Sequence, residues 1–200
     1  MSKKQEGKSR LISNGLSIIA KKGVDASGLN ELLLAAEVPK GSFYNYFQSK
    51  EAFVLEVLKH DESCSCRGLT LPGLNRAGQL EDIVEYLNVL ISRYELQEKD
   101  WQTLYCNNAG PLANSGEVLR QQLQHNIETA LEPMQAILSR AQQSRQVRRD
   151  YPSQQLALFF WDAWQGALIR AQVQQSVEPL RQVVDFVFLD FVNPQDNLKD

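Results

Sequence analysis

Few residues in this chain could do covalent chemistry. His60 and His125 stand far apart, and neither belongs to a carboxylate or thiol cluster at metal-ligand spacing. Cys64, Cys66 and Cys106 are too few and too unevenly spaced for a disulfide framework, and Cys64-x-Cys66 is not the CxxC of zinc or thioredoxin-type sites. There is no GxSxG elbow, no P-loop and no dinucleotide fingerprint. We therefore expect no catalytic residues, no metal and no cofactor: the chain does not read as an enzyme. What remains is the chemistry of contact. The stretch SGLNELLLAAEVPKGSFYNYFQSK, Ser27 to Lys50, offers Ser27, Lys40, Gly41, Ser42, Tyr44, Asn45, Tyr46 and Lys50, a set of hydroxyls, an amide, two ammonium groups and a glycine. Phosphates and base edges of duplex DNA accept such groups.

These residues need elements to aim them. Leu29, Leu32, Leu33 and Ala36 recur at helical spacing, with Ser27 as N-cap, and Glu37-Val38-Pro39 breaks the helix. A second short helix, Lys40 to Tyr46, is anchored by Phe43 and Phe47 at i,i+4, which turns Lys40, Ser42, Tyr44 and Asn45 outward. That is a helix-turn-helix with a polar second helix for a major groove. Before it, a helix from Gly7 to Lys22 presents Leu11, Ile12, Leu16 and Ile19 and ends at Gly23, with Lys3 to Lys8 as a mobile arm. After it, Ser49 caps a helix to Arg67 with Phe53, Val54, Val57 and Leu58 inward. Lys50 opposes that helix's macrodipole, so a phosphate is the expected reason for it.

The same residues carry a resemblance. VPKGSFYNYFQSKEAF is similar to the end of the DNA-binding domain of the TetR family of bacterial repressors, and with the preceding helix the likeness runs from Leu11 to Leu58. Glu37 stands where the family often has Gly, which predicts a strained positive φ, and Asn45 where it often has His. In AEVPKGSFY, YF and SKEAF the chain also resembles a subgroup, the N-ethylmaleimide-responsive repressors. The resemblance implies a palindromic DNA operator, a homodimer and a small-molecule effector. The effector pocket it implies falls at Trp101, Tyr105, Trp161 and Trp164, with Asp162 beside them for a cationic compound, and the subgroup's electrophile-sensing cysteine falls near Cys106.

Downstream the pattern stays helical: residues 76–100, a short helix 101–108 that Gly110-Pro111 ends, and a long helix 117–145 kinked by Pro133. Residues 145–151 read as a solvated basic loop, followed by helices from Pro152 to Gln175 and from Glu178 onward. The last two are too apolar for one small domain to bury. Ala163, Ala167, Ala171, Val184, Val187 and Phe188 are therefore expected to pair with their copies in a four-helix dimer interface.

Composition agrees with this picture. The 200 residues are 43% hydrophobic and 22% charged, which suits a globular chain. No apolar run reaches membrane-spanning length, and MSKKQEGKSR lacks a signal peptide's apolar segment, so a cytoplasmic protein is expected. The net charge of −3 divides unevenly: residues 1–60 hold nine Lys or Arg against six Asp or Glu, and residues 61–200 hold twelve against eighteen. The cationic end is the DNA-binding end.

The expected architecture is all-α with about nine helices: a helix-turn-helix domain over 1–58, and a ligand-binding and dimerisation domain over 59–200. The expected function is a dimeric repressor released by an apolar or aromatic effector. Two alternatives stay open: switching by an electrophile at Cys106, and a helical adaptor that binds no DNA.

Overall fold

The computed structural model describes residues 3–24, 26–65, 78–96 and 104–193, and every regular element among them is helical. In order they are α1 (Lys3–Lys22), α2 (Leu29–Ala35), a 3₁₀ segment (Lys40–Asn45), α3 (Lys50–Ser65), α4 (Leu80–Glu95), α5 (Leu104–Asn114), α6 (Glu117–Gln143), α7 (Ser153–Gln174), α8 (Glu178–Asp185) and a π-helical segment (Phe186–Phe191). Among the described residues no helix is long and apolar enough to cross a membrane. The chain divides into two units, residues 1–66 with 100–129, and residues 67–99 with 130–200.

In the first unit α1 crosses α3. Leu11 and Ile19 are fully buried, and between them Gly15 leaves room for Phe53, since a Cβ there would stand 2.4 Å from that ring. Phe43, Phe47 and Phe53 close the core with ring centroids 5.0–5.6 Å apart. Residues expected as a mobile arm belong instead to α1. Lys8 is held by Glu56 at 2.8 Å and lies 5.5 Å from the Phe47 ring centre.

In the second unit Ile83, Leu87, Leu90 and Ile91 of α4 are buried, as are Leu131, Met134, Ile137 and Leu138 of α6. Leu156, Phe160, Trp164 and Leu168 of α7 and Leu180, Val184, Val187 and Phe188 after it complete that core. The 145–151 loop is not simply solvated. Arg148 grips Asp150 with two nitrogens, donates to the Phe191 carbonyl at 3.2 Å, and lies over the Tyr151 and Phe191 rings.

Helix ends explain the backbone outliers. Glu37, Arg145 and Gln175 have φ of 53°, 62° and 50°, each just past a helix. In each case the next residue's N–H reaches back to the helix, Val38 to Leu33, Gln146 to Ala141 and Ser176 to Ala171. These are left-handed helix terminations in which satisfied carbonyls offset the strain of a Cβ at positive φ.

Two expectations about proline fare differently. Gly110-Pro111 does not end a helix, because α5 runs on to Asn114, anchored by fully buried Leu112 and closed where Ser115 bonds the Leu112 carbonyl. Helix α6 runs from Glu117 to Gln143 with Pro133 inside it.

Candidate nucleic-acid interface

The turn between α2 and the 3₁₀ segment is set by Glu37 and by Ser42 N–H bonding the Pro39 carbonyl at 2.9 Å. The segment is 3₁₀ rather than α, with only six residues. Its fixed side is Phe43, buried and joined to Phe47 at 5.3 Å. Its free side is Gly41, Tyr44 and Asn45, all exposed, with Ser42 half-buried. Tyr44 is 69% exposed and stands edge-on against Phe43 at 5.4 Å, so an inward ring braces an outward one. Nothing lies within 4 Å of where a Cβ on Gly41 would be, so the chain itself does not require glycine there.

Two of the expected contact residues have partners within the chain. Ser27 is only 1% exposed, and its hydroxyl donates to the Val24 carbonyl at 2.7 Å, so it offers DNA no side chain; Gly28 is the N-cap of α2 instead. Lys50 has a structural reason after all: its ammonium donates to the carbonyls of Val24 at 2.6 Å and Ser27 at 3.2 Å. It remains exposed, and an ammonium has three donors. Ser49 does cap α3, accepting the Ala52 N–H at 3.0 Å. Tyr46 is half-buried with its phenol along α1, where a Cβ on Gly7 would stand 2.6 Å from the hydroxyl. Nearby, Lys22 is paired with Glu31 at 2.6 Å.

Comparison with known proteins decides what this scaffold is. The family described as bacterial regulatory proteins, tetR family, matches residues 11–57, and the tetracyclin repressor-like C-terminal domain matches residues 104–187. The chain belongs to the TetR family. It is 29% identical over 197 residues to the HTH-type transcriptional repressor DhaR of Mycobacterium sp. (strain GP1), covering 95% of this chain and 94% of that one. It is 26% identical to the repressor NemR of Escherichia coli (strain K12), covering 88% and 89%. The crystal structure of E. coli NemR in its reduced form superposes with a TM-score of 0.80 at 25% identity, covering 94% and 96%.

Of the effector residues expected of this TetR-family regulator, the side chains of Trp161 and Trp164 are among the described ones. Trp101 and the side chains of Lys40, Tyr105 and Cys106 lie outside the described residues. Trp164 is core, 5.7 Å from Phe160. Asp162 faces outward. Trp161 lines an apolar cavity in the second unit with Tyr86, Leu131 and Met134, but its volume of about 20 Å³ holds little more than one water. Burial there pushes the Tyr86 phenol well above its ordinary pKa. Among the described residues no group of three His, Cys, Asp or Glu could hold a metal ion.

The expected dimer residues are mostly covered within the chain itself. Ala167, Ala171, Val184, Val187 and Phe188 are buried within one chain, and Ala163 is half-buried. The exposed apolar side of these helices holds Phe159, Ile169 and Val173 with Phe186 and Leu189. Gly166 lies on it with open space above. Phe159 and Phe186 are joined through Phe191, at 4.7 Å and 6.4 Å.

Three residues escaped the sequence reading. Gly28 has an ordinary φ of −72° and nothing within 4 Å of a Cβ, like Gly41. Asn108 and Asn126 are buried and bonded to the main chain of α1 and α3. Asn126 falls in the spacing Leu119, Leu123, Asn126, a polar interruption of an apolar stripe that could have flagged it.

Proposed function

We propose that this TetR-family regulator represses transcription by binding a palindromic DNA operator as a homodimer in the cytoplasm, and releases it when a small apolar or aromatic molecule binds. Residues 1–58 would read the DNA and residues 59–200 would sense the effector and dimerise. The observation that carries this is the free side of the 3₁₀ segment. Gly41, Tyr44 and Asn45 are exposed on a piece of backbone that two buried phenylalanines hold still, and nothing of the chain itself lies over the glycine. A DNA surface fits: Tyr44 reaches phosphate, Asn45 a base edge, and Gly41 permits close approach. The repressors DhaR and NemR, similar along nearly the whole chain, support the same reading. The dimer face is the exposed strip of Phe159, Gly166, Phe186 and Leu189 rather than the buried alanines. The cavity beside Trp161 would have to open to admit an effector larger than water, whereas the open groove along α4, lined by Val84, Val89, Leu96 and Leu189, already has about 730 Å³.

The test is selection from a random-sequence duplex pool by the purified chain. A two-fold-symmetric sequence bound more tightly than a shuffled control, with strong salt dependence, is expected. No enrichment of any sequence would overturn the DNA reading and leave the adaptor alternative.

A second reading keeps Cys106 as the switch. Its support is that NemR, at 25% identity, has been solved in a form described as reduced, and that Cys106 lies on α5. Release of the selected duplex by a mild electrophile, lost in Cys106→Ser, is its expected outcome. Equal release by both proteins would remove the cysteine.

A further inference from the structure

The buried polar residues among the described ones are Ser27, Asn108 and Asn126, and all three donate to main-chain carbonyls of, or beside, the DNA-binding helices. Apolar residues of similar size would fill the same space without a desolvation cost, so burial alone does not account for them. Asn108 of α5 donates through Nδ2 to the Ile19 carbonyl at 3.1 Å, at the end of α1. That carbonyl also accepts the N–H of Gly23 at 2.8 Å. Gly23 turns with φ +84°, and Asn108 Oδ1 lies 3.0 Å from where a Cβ would stand. Helix end, glycine and asparagine thus form one fitted joint. The joint continues: Gly23 O accepts Ser27 N–H at 3.2 Å, and Lys50 of α3 holds the Val24 and Ser27 carbonyls. Helix α2 and the 3₁₀ segment hang from that loop. On the other side Asn126 of α6 donates to the Leu58 carbonyl of α3 at 2.9 Å. Gln122, donating to Asn126 Oδ1 at 2.7 Å, fixes which way that amide points.

We propose that Asn108 and Asn126 are positioning residues, through which α5 and α6 set the lie of α1 and α3 and thereby aim Gly41, Tyr44 and Asn45. This rests on the DNA-binding function proposed above. It gives that function a route of control: Tyr105 and Cys106 sit on α5 within one turn of Asn108, so an effector acting on that helix moves the joint at Gly23.

The test uses the full chain and the duplex that the wild type enriches, beside a shuffled duplex. For Asn108→Ala and Asn126→Leu, well below each melting temperature, the ratio of specific to non-specific affinity is expected to fall about tenfold. The non-specific affinity and its salt slope stay at wild-type values, because the phosphate contacts are intact. Amide exchange at Gly23 and Ser27 accelerates in Asn108→Ala. A merely structural role would lower the melting temperature and leave the ratio alone. If Asn108→Ala does not fold, Asn108→Ser, which is too short to reach the Ile19 carbonyl, replaces it with the same expectation. Folded variants with the wild-type ratio and wild-type exchange overturn the positioning proposal while the DNA reading stands. A wild type that enriches no sequence overturns both.

Discussion

Two surfaces of this chain each carry a glycine with empty space above it, and their neighbours differ in kind. Gly41 sits among Tyr44, Asn45 and, a few residues on, Lys50. Gly166 lies on the exposed side of α7 with Phe159, Ile169 and Val173. In a helical segment glycine costs roughly 1 kcal/mol against alanine, so each position invites the question of what approaches it. Around Gly41 the groups suit a hydrated polyanion, which gains from donors and charge. Around Gly166 they suit a surface that must lose water, most simply a second copy of the same apolar strip. On the function proposed above, one device would serve two partner chemistries.

The largest effect expected comes from putting a charge on the apolar side. Gly166→Arg should leave each chain folded and yield monomers by light scattering. Loss of a linked second half-site should then weaken operator binding by about a hundredfold or more. The adjacent Ala167→Glu is the control, since Ala167 is 2% exposed and an unpaired charge there costs several kcal/mol. It should lower the melting temperature sharply rather than separate folded chains. A Gly166→Arg protein that stays dimeric would move the interface off this strip.

On the polar side the expected signs are opposite. Gly41→Ala removes backbone freedom and meets no neighbour, so it should stabilise the fold by up to about 1 kcal/mol. The same change should weaken operator binding by about tenfold, and Tyr44→Ala by a similar factor. Gly41→Ala with unchanged affinity would mean that DNA does not approach this glycine.

Lys50 sharpens the comparison further because it has two candidate duties. Replacing it with Met removes the donor to Val24 and Ser27, at a stability cost of about 1 kcal/mol. If Lys50 also touches phosphate, the slope of log affinity against log salt falls by about 0.9. If it only ties the loop, affinity drops with the slope unchanged. The slope, not the affinity, decides.

Local chemistry was legible in the sequence, and choices among equivalent faces were not. Phe43 and Phe47 at i,i+4, Gly23 after a helix, Ser49 before one and the positive φ of Glu37 are all fixed by neighbours a few residues away. The carbonyls that Lys50 holds lie 26 and 23 residues away, so a dipole argument could not reveal them. Helix α7 is apolar most of the way round, so periodicity could not say whether Ala167 or Gly166 faced the core. Asn108 and Asn126 look like surface residues until the carbonyls they serve, 89 and 68 residues away, come into place. Pro111 was read as a break because its lost hydrogen bond is visible in one dimension and the burial of Leu112 is not.

The smallest expected effect tests whether the polar surface needs its own ion pairs. Lys8 donates to Glu56 at 2.8 Å, and that hydrogen bond, set against partial burial and helped by the charges of Lys8 and Lys59, holds the Glu56 carboxyl below its ordinary range. A carboxylate whose folded pKa is depressed adds stability that is complete above its unfolded pKa and is lost as pH falls through the folded one. Both side chains are a third or more exposed, so the contribution is under about 1 kcal/mol. Lys8→Met keeps the apolar stem against Phe47 and removes the charge. Melting temperatures of wild type and variant should differ slightly near about pH 7 and draw together as the pH falls through the lowered pKa of folded Glu56. A small constant offset would persist from the lost cation–ring contact with Phe47. A gap that stays the same on acidification would mean that Glu56 is not the partner that matters, and that Lys8 acts through Phe47 alone.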